Sequence, residues 1–265
     1  MRRGRLAPAV PWPLTLAGVL LLAYLATPVV FGFPGLDPST VAGAVRQAAS
    51  AGAIQTSLVT ATVSTVAAVV LGVPLAYFLA RSEFRGKDLV SALVYLPLVI
   101  PPVVGGVLLL AVYGPYGPVG HWLGGWGVQV TDAFPGIVLA QTFVSAPYLI
   151  VAARVAFEGV DPTLERVSYA LGKPPLATFF RVALPLAWPG ILAGVPLAWL
   201  RALGEFGATV MVAYHPYTLP VYLFVQFGSE GLRAALPIAV LLLVAGAGVL
   251  GAVQLVRRGA TRMLP

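Results

Sequence analysis

Six stretches of the chain stay apolar for the length that a membrane demands: residues 14–33, 54–80, 89–113, 134–153, 186–213 and 234–256. A hydrocarbon core about 30 Å thick needs about 20 residues of helix to cross it, and each stretch supplies that many. Only the fifth holds charged residues, Arg201 and Glu205. Membrane barrel strands alternate apolar and polar positions, which these runs do not, and an open sheet would leave unpaired backbone groups in lipid. The pattern predicts an all-α, polytopic membrane protein of about six transmembrane helices, a single transmembrane domain over residues 1–265.

Composition agrees, with 59% hydrophobic and 9% charged residues among 265, against about 25% charged in a soluble domain. Lipid is therefore the solvent for most of the surface. With no cysteine and only the isolated histidines His121 and His215, the chain offers no disulfide, thiolate chemistry or metal-ligand spacing. The formal charge of +7 comes from basic residues that flank the apolar spans, which is membrane topology and not a phosphate-binding stripe, so no nucleic-acid partner is expected.

Those flanking charges orient the chain. With the N-terminus inside, the inner segments hold Arg2, Arg3, Arg5, Arg81, Arg85, Lys87, Arg154, Arg166, Lys173, Arg181, Arg257, Arg258 and Arg262, and the outer ones only Arg46 and Arg233. Excess Lys and Arg marks cytoplasmic segments, so both termini are expected in the cytoplasm of a multi-pass plasma-membrane protein. The first span is expected to be a retained helix, because its apolar stretch is long for a signal sequence and Tyr24 spoils a small-residue cleavage pattern at Ala26.

Residues 158–184 form the longest charged stretch on the inner side. Asp161 is placed to cap a helix that opens at Pro162, with Glu165 near that positive end. Gly172 suits the left-handed residue that ends a helix, and Lys173-Pro174-Pro175 stops continuation. Leu164, Val167, Tyr169, Leu171, Leu176, Phe179 and Phe180 are interleaved with the charges. Two readings account for them, a surface covered by a partner or packing against the chain's own inner helix ends.

The run Leu164-Glu165-Arg166-Val167-Ser168-Tyr169-Ala170-Leu171-Gly172, followed by Val182-Ala183-Leu184-Pro185, resembles the coupling-loop signature of ABC importer permeases: EAA, three residues, G, nine residues, I-x-L-P. The triplet falls on Arg166-Val167-Ser168, with the acid one place earlier at Glu165. Pro74 to Arg81, Leu96 to Val104, Ala140 to Phe143 and Ala153 to Glu158 resemble the family's second, third and fourth helices. Arg201-Ala202-Leu203-Gly204-Glu205-Phe206-Gly207-Ala208-Thr209 is similar to the fifth helix of molybdate and tungstate permeases, to which sulfate permeases are related.

The resemblance implies a permease that moves a tetrahedral oxyanion by alternating access, as a homodimer with two ATP-binding subunits and an extracellular or periplasmic oxyanion-binding protein. Asp161, Leu164, Glu165, Arg166, Ser168, Leu171, Gly172 and Lys173 would then couple to the ATPase. ATP and magnesium would belong to that partner, with no cofactor and no catalytic residue in this chain. No glycine stands five residues before Gly172, and Pro174 follows Lys173, so a phosphate-binding Walker A loop is missing. The alternatives are a sulfate or thiosulfate permease of the same class, and a channel or secondary transporter that needs no motor.

Pathway candidates lie within the spans. Pro97, Pro101 and Pro102, with Gly105 and Gly106, make the third span a gate or a place of close helix packing. Gln141 and Thr142 offer neutral hydrogen-bonding groups along the fourth span, for the pathway or for neighbouring helices. Arg201 and Glu205, four apart on one face, are either a pair facing the pathway or an ion pair that braces the fifth helix.

Overall fold

The computed structural model describes residues 11–33, 37–46 and 48–262, and these form helices and connections with no strand among them. Helix α1 (Trp12–Phe31) buries none of its side chains within the chain. The short α2 (Pro38–Arg46) follows Asp37. Next comes α3 (Ala48–Arg81), 34 residues long and continuous through Pro74, or about 51 Å at 1.5 Å per residue.

The third apolar stretch is not one rod. It forms α4 (Lys87–Val99) and α5 (Pro102–Tyr113), bent by 117° at the break. Pro101 and Pro102 bring no N–H to continue the ladder, and a residue preceding proline is forced out of the helical region. Ile100 accordingly sits at φ −75°, ψ 143°. Pro97 is accommodated inside α4 without ending it.

After α6 (Pro118–Gly124) comes α7 (Phe134–Glu158), which carries the fourth stretch five residues beyond Ala153. Arg154, near the end of α7, reaches Ser91 of α4 at 3.2 Å, while Gly105 of α5 lies against Phe143, about three turns back along α7. The bent pair thus runs alongside α7 from Arg154 to Phe143, with Leu109 of α5 in one cluster with Ala140 and Val144, and by length and composition the two pieces can serve as one crossing.

The loop region holds α8 (Pro162–Ala170), α9 (Pro175–Thr178) and a five-residue π-helical turn, Phe179–Ala183, that leads directly into α10 (Leu184–Leu203). A continuous fifth span over residues 186–213 is not what forms: α10 stops at Gly204, and a separate α11 (Gly207–Val212) follows. Two further helices follow among the described residues, α12 (Leu219–Glu230) and α13 (Leu232–Arg262).

Helices α3, α7 and α10 form the central bundle. Ala68, Val73 and Ala76 of α3 meet Leu149, Ile150, Ala153 and Phe157 of α7 and Ala187, Ile191 and Ala198 of α10. Small residues set the spacing, as Gly190 and Gly194 of α10 lie against Ala156 and Ala152 of α7. Close backbone approach of this kind replaces the hydrophobic drive that lipid cannot supply. A second cluster joins α5, α7 and α11 through Leu109, Ala140, Val144, Ala208 and Val212.

Candidate functional site

Helix α8 is built as the sequence predicts. The Asp161 carboxylate accepts the N–H of Thr163 at 2.8 Å, and this bond to its charged form holds the Asp161 pKa below the usual carboxylate range. At the other end Gly172 has φ +76°, a left-handed conformation that strains any L side chain. Its N–H bonds to Tyr169, and the Lys173 N–H reaches back to Ser168. Pro174 and Pro175 follow and turn the chain into α9.

The faces of α8 are inverted relative to an ordinary surface helix. Its acid and its serine are inside: Glu165 is 4% exposed, and Ser168 shares a 2.9 Å hydrogen bond with Thr178 of α9. Its apolar residues are outside, with Leu164, Val167, Tyr169 and Leu171 exposed and Leu171 74% so. Leu176 and Phe180 extend this patch beyond α8. Arg166 and Lys173 are exposed beside it, Arg166 donating to the Thr163 hydroxyl at 2.9 Å.

Glu165 therefore does more than sit near a helix dipole, and it faces into the chain. Arg81 Nε donates to its Oε1 at 2.8 Å and the Tyr77 hydroxyl to its Oε2 at 2.7 Å. A second Arg81 nitrogen, Nη2, donates to the Val160 carbonyl at 2.9 Å. Arg81 and Tyr77 were not among the predicted site residues. Their signal was a tyrosine and an arginine four apart, on one face at the inner end of the second span.

The span residues divide into two groups. Gly106 packs so closely on α11 that a Cβ there would lie 2.8 Å from the Ala208 Cα, and a Cβ on Gly207 would come within 3.0 Å of Pro102. The helix that opens at Pro101-Pro102 is thereby joined to α11. Beside it, Gln141 is fully buried and accepts from Ser64 of α3 at 3.1 Å, while its Nε2, Thr142 Oγ1 and Ser145 Oγ have no partner among the described residues.

Arg201 and Glu205 do pair, with Arg201 Nη1 2.6 Å from Glu205 Oε2. The other carboxylate oxygen accepts the N–H of Ala208 at 2.7 Å. Glu205 is 1% exposed, and it satisfies one of the free amide groups at the start of α11. The pair spans the break between α10 and α11.

Comparison with known proteins gives a consistent result. The model of a family described as the binding-protein-dependent transport system inner membrane component matches residues 68–262. A probable molybdenum ABC transporter permease protein of Haloferax volcanii is 50% identical over 229 residues, covering 86% of this chain and 83% of the relative. A molybdate/tungstate transport system permease protein of Pyrococcus abyssi is 39% identical over 228 residues, 85% of this chain and 87% of its own. A molybdenum transport system permease protein of Mycobacterium tuberculosis is 38% identical over 230 residues, again 85% and 87%. Among solved structures, a bacterial ABC transporter involved in alginate import superposes with a TM-score of 0.75 at 17% identity, over 96% of each chain. The MetNI methionine ABC transporter gives 0.63 at 19% identity, over 84% of this chain and 99% of that one. Those two likenesses speak for the fold.

Proposed function

This chain belongs to the family of binding-protein-dependent transport system inner membrane components, and on that premise we propose that it is the permease subunit of an ATP-driven importer of molybdate or tungstate. The observation that carries this reading is the inverted helix α8, whose apolar side chains face outward while its acid is held inside. A contiguous apolar patch on an otherwise charged loop calls for a protein partner. Two copies of the chain present two such patches, one to each of two ATP-binding subunits. A separate extracellular or periplasmic protein delivers the oxyanion.

ATP and its magnesium ion are handled by the ATP-binding subunits, and the work enters this chain through α8. The excess of basic residues on the α8 side supports a cytoplasmic placement of that side and of both termini. The unit of α5 and α11, flanked by Gln141 and Thr142, forms the gate. Its groups are neutral and few, which suits a pathway that holds a dianion only weakly. Arg201 and Glu205 brace that unit and do not bind substrate.

The test is co-purification with the ATP-binding subunit. Leu171→Asp and Leu164→Asp are expected to leave helical content and membrane insertion unchanged and to lower recovery of the partner by more than about tenfold, as loss of a central apolar anchor does. Full recovery with both variants would remove α8 as the docking site.

A further inference from the structure

Five segments meet at one buried point. Arg81 and Tyr77 come from the last turns of α3, Phe157 from the end of α7, Glu165 from α8, Val160 from the turn between them, and Phe179 from the π turn that opens α10. The Tyr77 ring packs edge-on against Phe157 and Phe179, with centroids 5.2 and 4.8 Å away. Its hydroxyl and the Arg81 guanidinium together occupy both oxygens of Glu165. Arg81 also holds the carbonyl of Val160, so one side chain ties α8 and the strand of chain entering it to α3.

This arrangement has a directional consequence. The outward face of α8 is mainly apolar, whereas the inward face is fastened by charge-assisted hydrogen bonds in a nearly dry setting. Helix α3 is the one helix of the central bundle that runs unbroken for 34 residues. In contrast, α4 is broken from α5 and α10 from α11. A force on α8 thus meets the unbroken α3 and α7 through Arg81, Tyr77 and Phe157, and reaches α10 through the π turn at Phe179.

Resting on the permease reading above, we infer that Arg81, Tyr77 and Glu165 form the joint through which displacement of α8 by the ATP-binding subunit is passed to α3 and, through Phe157 and Phe179, to α7 and α10. All three are positioning residues: none touches substrate or nucleotide. The acid that the family signature places one position later is turned inward here and serves the joint in place of the docking surface. The exposed Arg166 stands at the signature position instead.

The experiment is reconstitution of the full complex in liposomes with the oxyanion-binding protein, measuring ATP hydrolysis and uptake of labelled molybdate on the same preparation. Arg81→Gln is expected to leave the complex assembled and hydrolysing ATP while uptake per ATP falls about tenfold or more, within the range of couplings between residues that share one network. Arg81→Lys should regain part of that ratio, since it keeps the charge and loses the second bond. If Arg81→Gln fails to assemble because Glu165 is left unpaired, the double variant Arg81→Gln with Glu165→Gln removes the stranded charge and is expected to assemble with the same low ratio. An unchanged ratio in an assembled variant, or a parallel loss of hydrolysis and uptake in both variants, overturns the joint. No ATP-dependent uptake by the unaltered complex would overturn the permease reading itself, and the inference would fall with it.

Discussion

Glu205 is the residue whose surroundings most constrain its role. A carboxylate at membrane depth is costly unless paired, and this one uses one oxygen for the Ala208 N–H and the other for Arg201. The Arg201 side chain is 24% exposed against 1% for its partner, so the acid is the buried half of the pair. Removing Arg201 alone strands that charge. Arg201→Gln is therefore expected to destabilise the protein by about 3 kcal/mol, and Arg201→Gln with Glu205→Gln by clearly less. Thermal unfolding of the detergent-solubilised protein measures both. Equal losses for the single and double variants would mean that Arg201 does not act through Glu205. The four-residue spacing of this pair was legible in the sequence because residues four apart meet on a helix, although Glu205 itself stands just past the end of α10. The bond to Ala208 was not, since it exists only once α10 has ended at Gly204. Glu165 illustrates the same limit: its helix position was evident, but its partner Arg81 lies 84 residues away.

At the level of elements, breaks that come from local chemistry were readable and breaks that come from packing were not. Two consecutive prolines dictate the division between α4 and α5 wherever the segment is placed. The division between α10 and α11 hangs on Gly204, Glu205 and the seating of Gly207 and Ala208 on α5, which is a tertiary event. Helix α12 escaped notice because 12 residues are too few for a span and too apolar for a loop. The close seating makes its own demand. A methyl group at Gly106 would collide with the backbone of Ala208, which cannot swing aside as a side chain would. Gly106→Ala is expected to cost about 1–3 kcal/mol by overpacking and to separate α5 from α11. Thermal unfolding reads the first effect, and a crosslink between cysteines at Leu109 of α5 and Val212 of α11, which share one cluster, reads the second. Undiminished crosslinking with normal stability would show that the two helices need no glycine there.

For the whole molecule, the topology depends on whether α4 and α5 make one crossing or turn back. Twelve or 13 residues of helix extend roughly 18–20 Å, too short to span the hydrocarbon core alone. A bend of 117° is large enough that length and composition permit a re-entrant hairpin. Contacts with α7 favour a crossing, because α4 touches Arg154 near one end, Gly105 meets Phe143 at the bend, and Leu109 farther along α5 clusters with Ala140 and Val144. The same choice fixes the side on which α8 lies. The absence of cysteine makes the test direct, since single cysteines can be introduced without first removing native ones. Thr40 of α2 and Trp122 of α6 are exposed, as are Glu83 between α3 and α4 and Lys173 after α8. Cysteines at Thr40 and Trp122 are expected to react with an impermeant maleimide on intact cells, and those at Glu83 and Lys173 only after permeabilisation. A re-entrant pair would leave Glu83 inside, bring Trp122 in with it, and move Lys173 to the outside. That outcome would carry α8 out of reach of any cytoplasmic ATP-binding subunit, so one labelling pattern tests the crossing and the motor's access to α8 together.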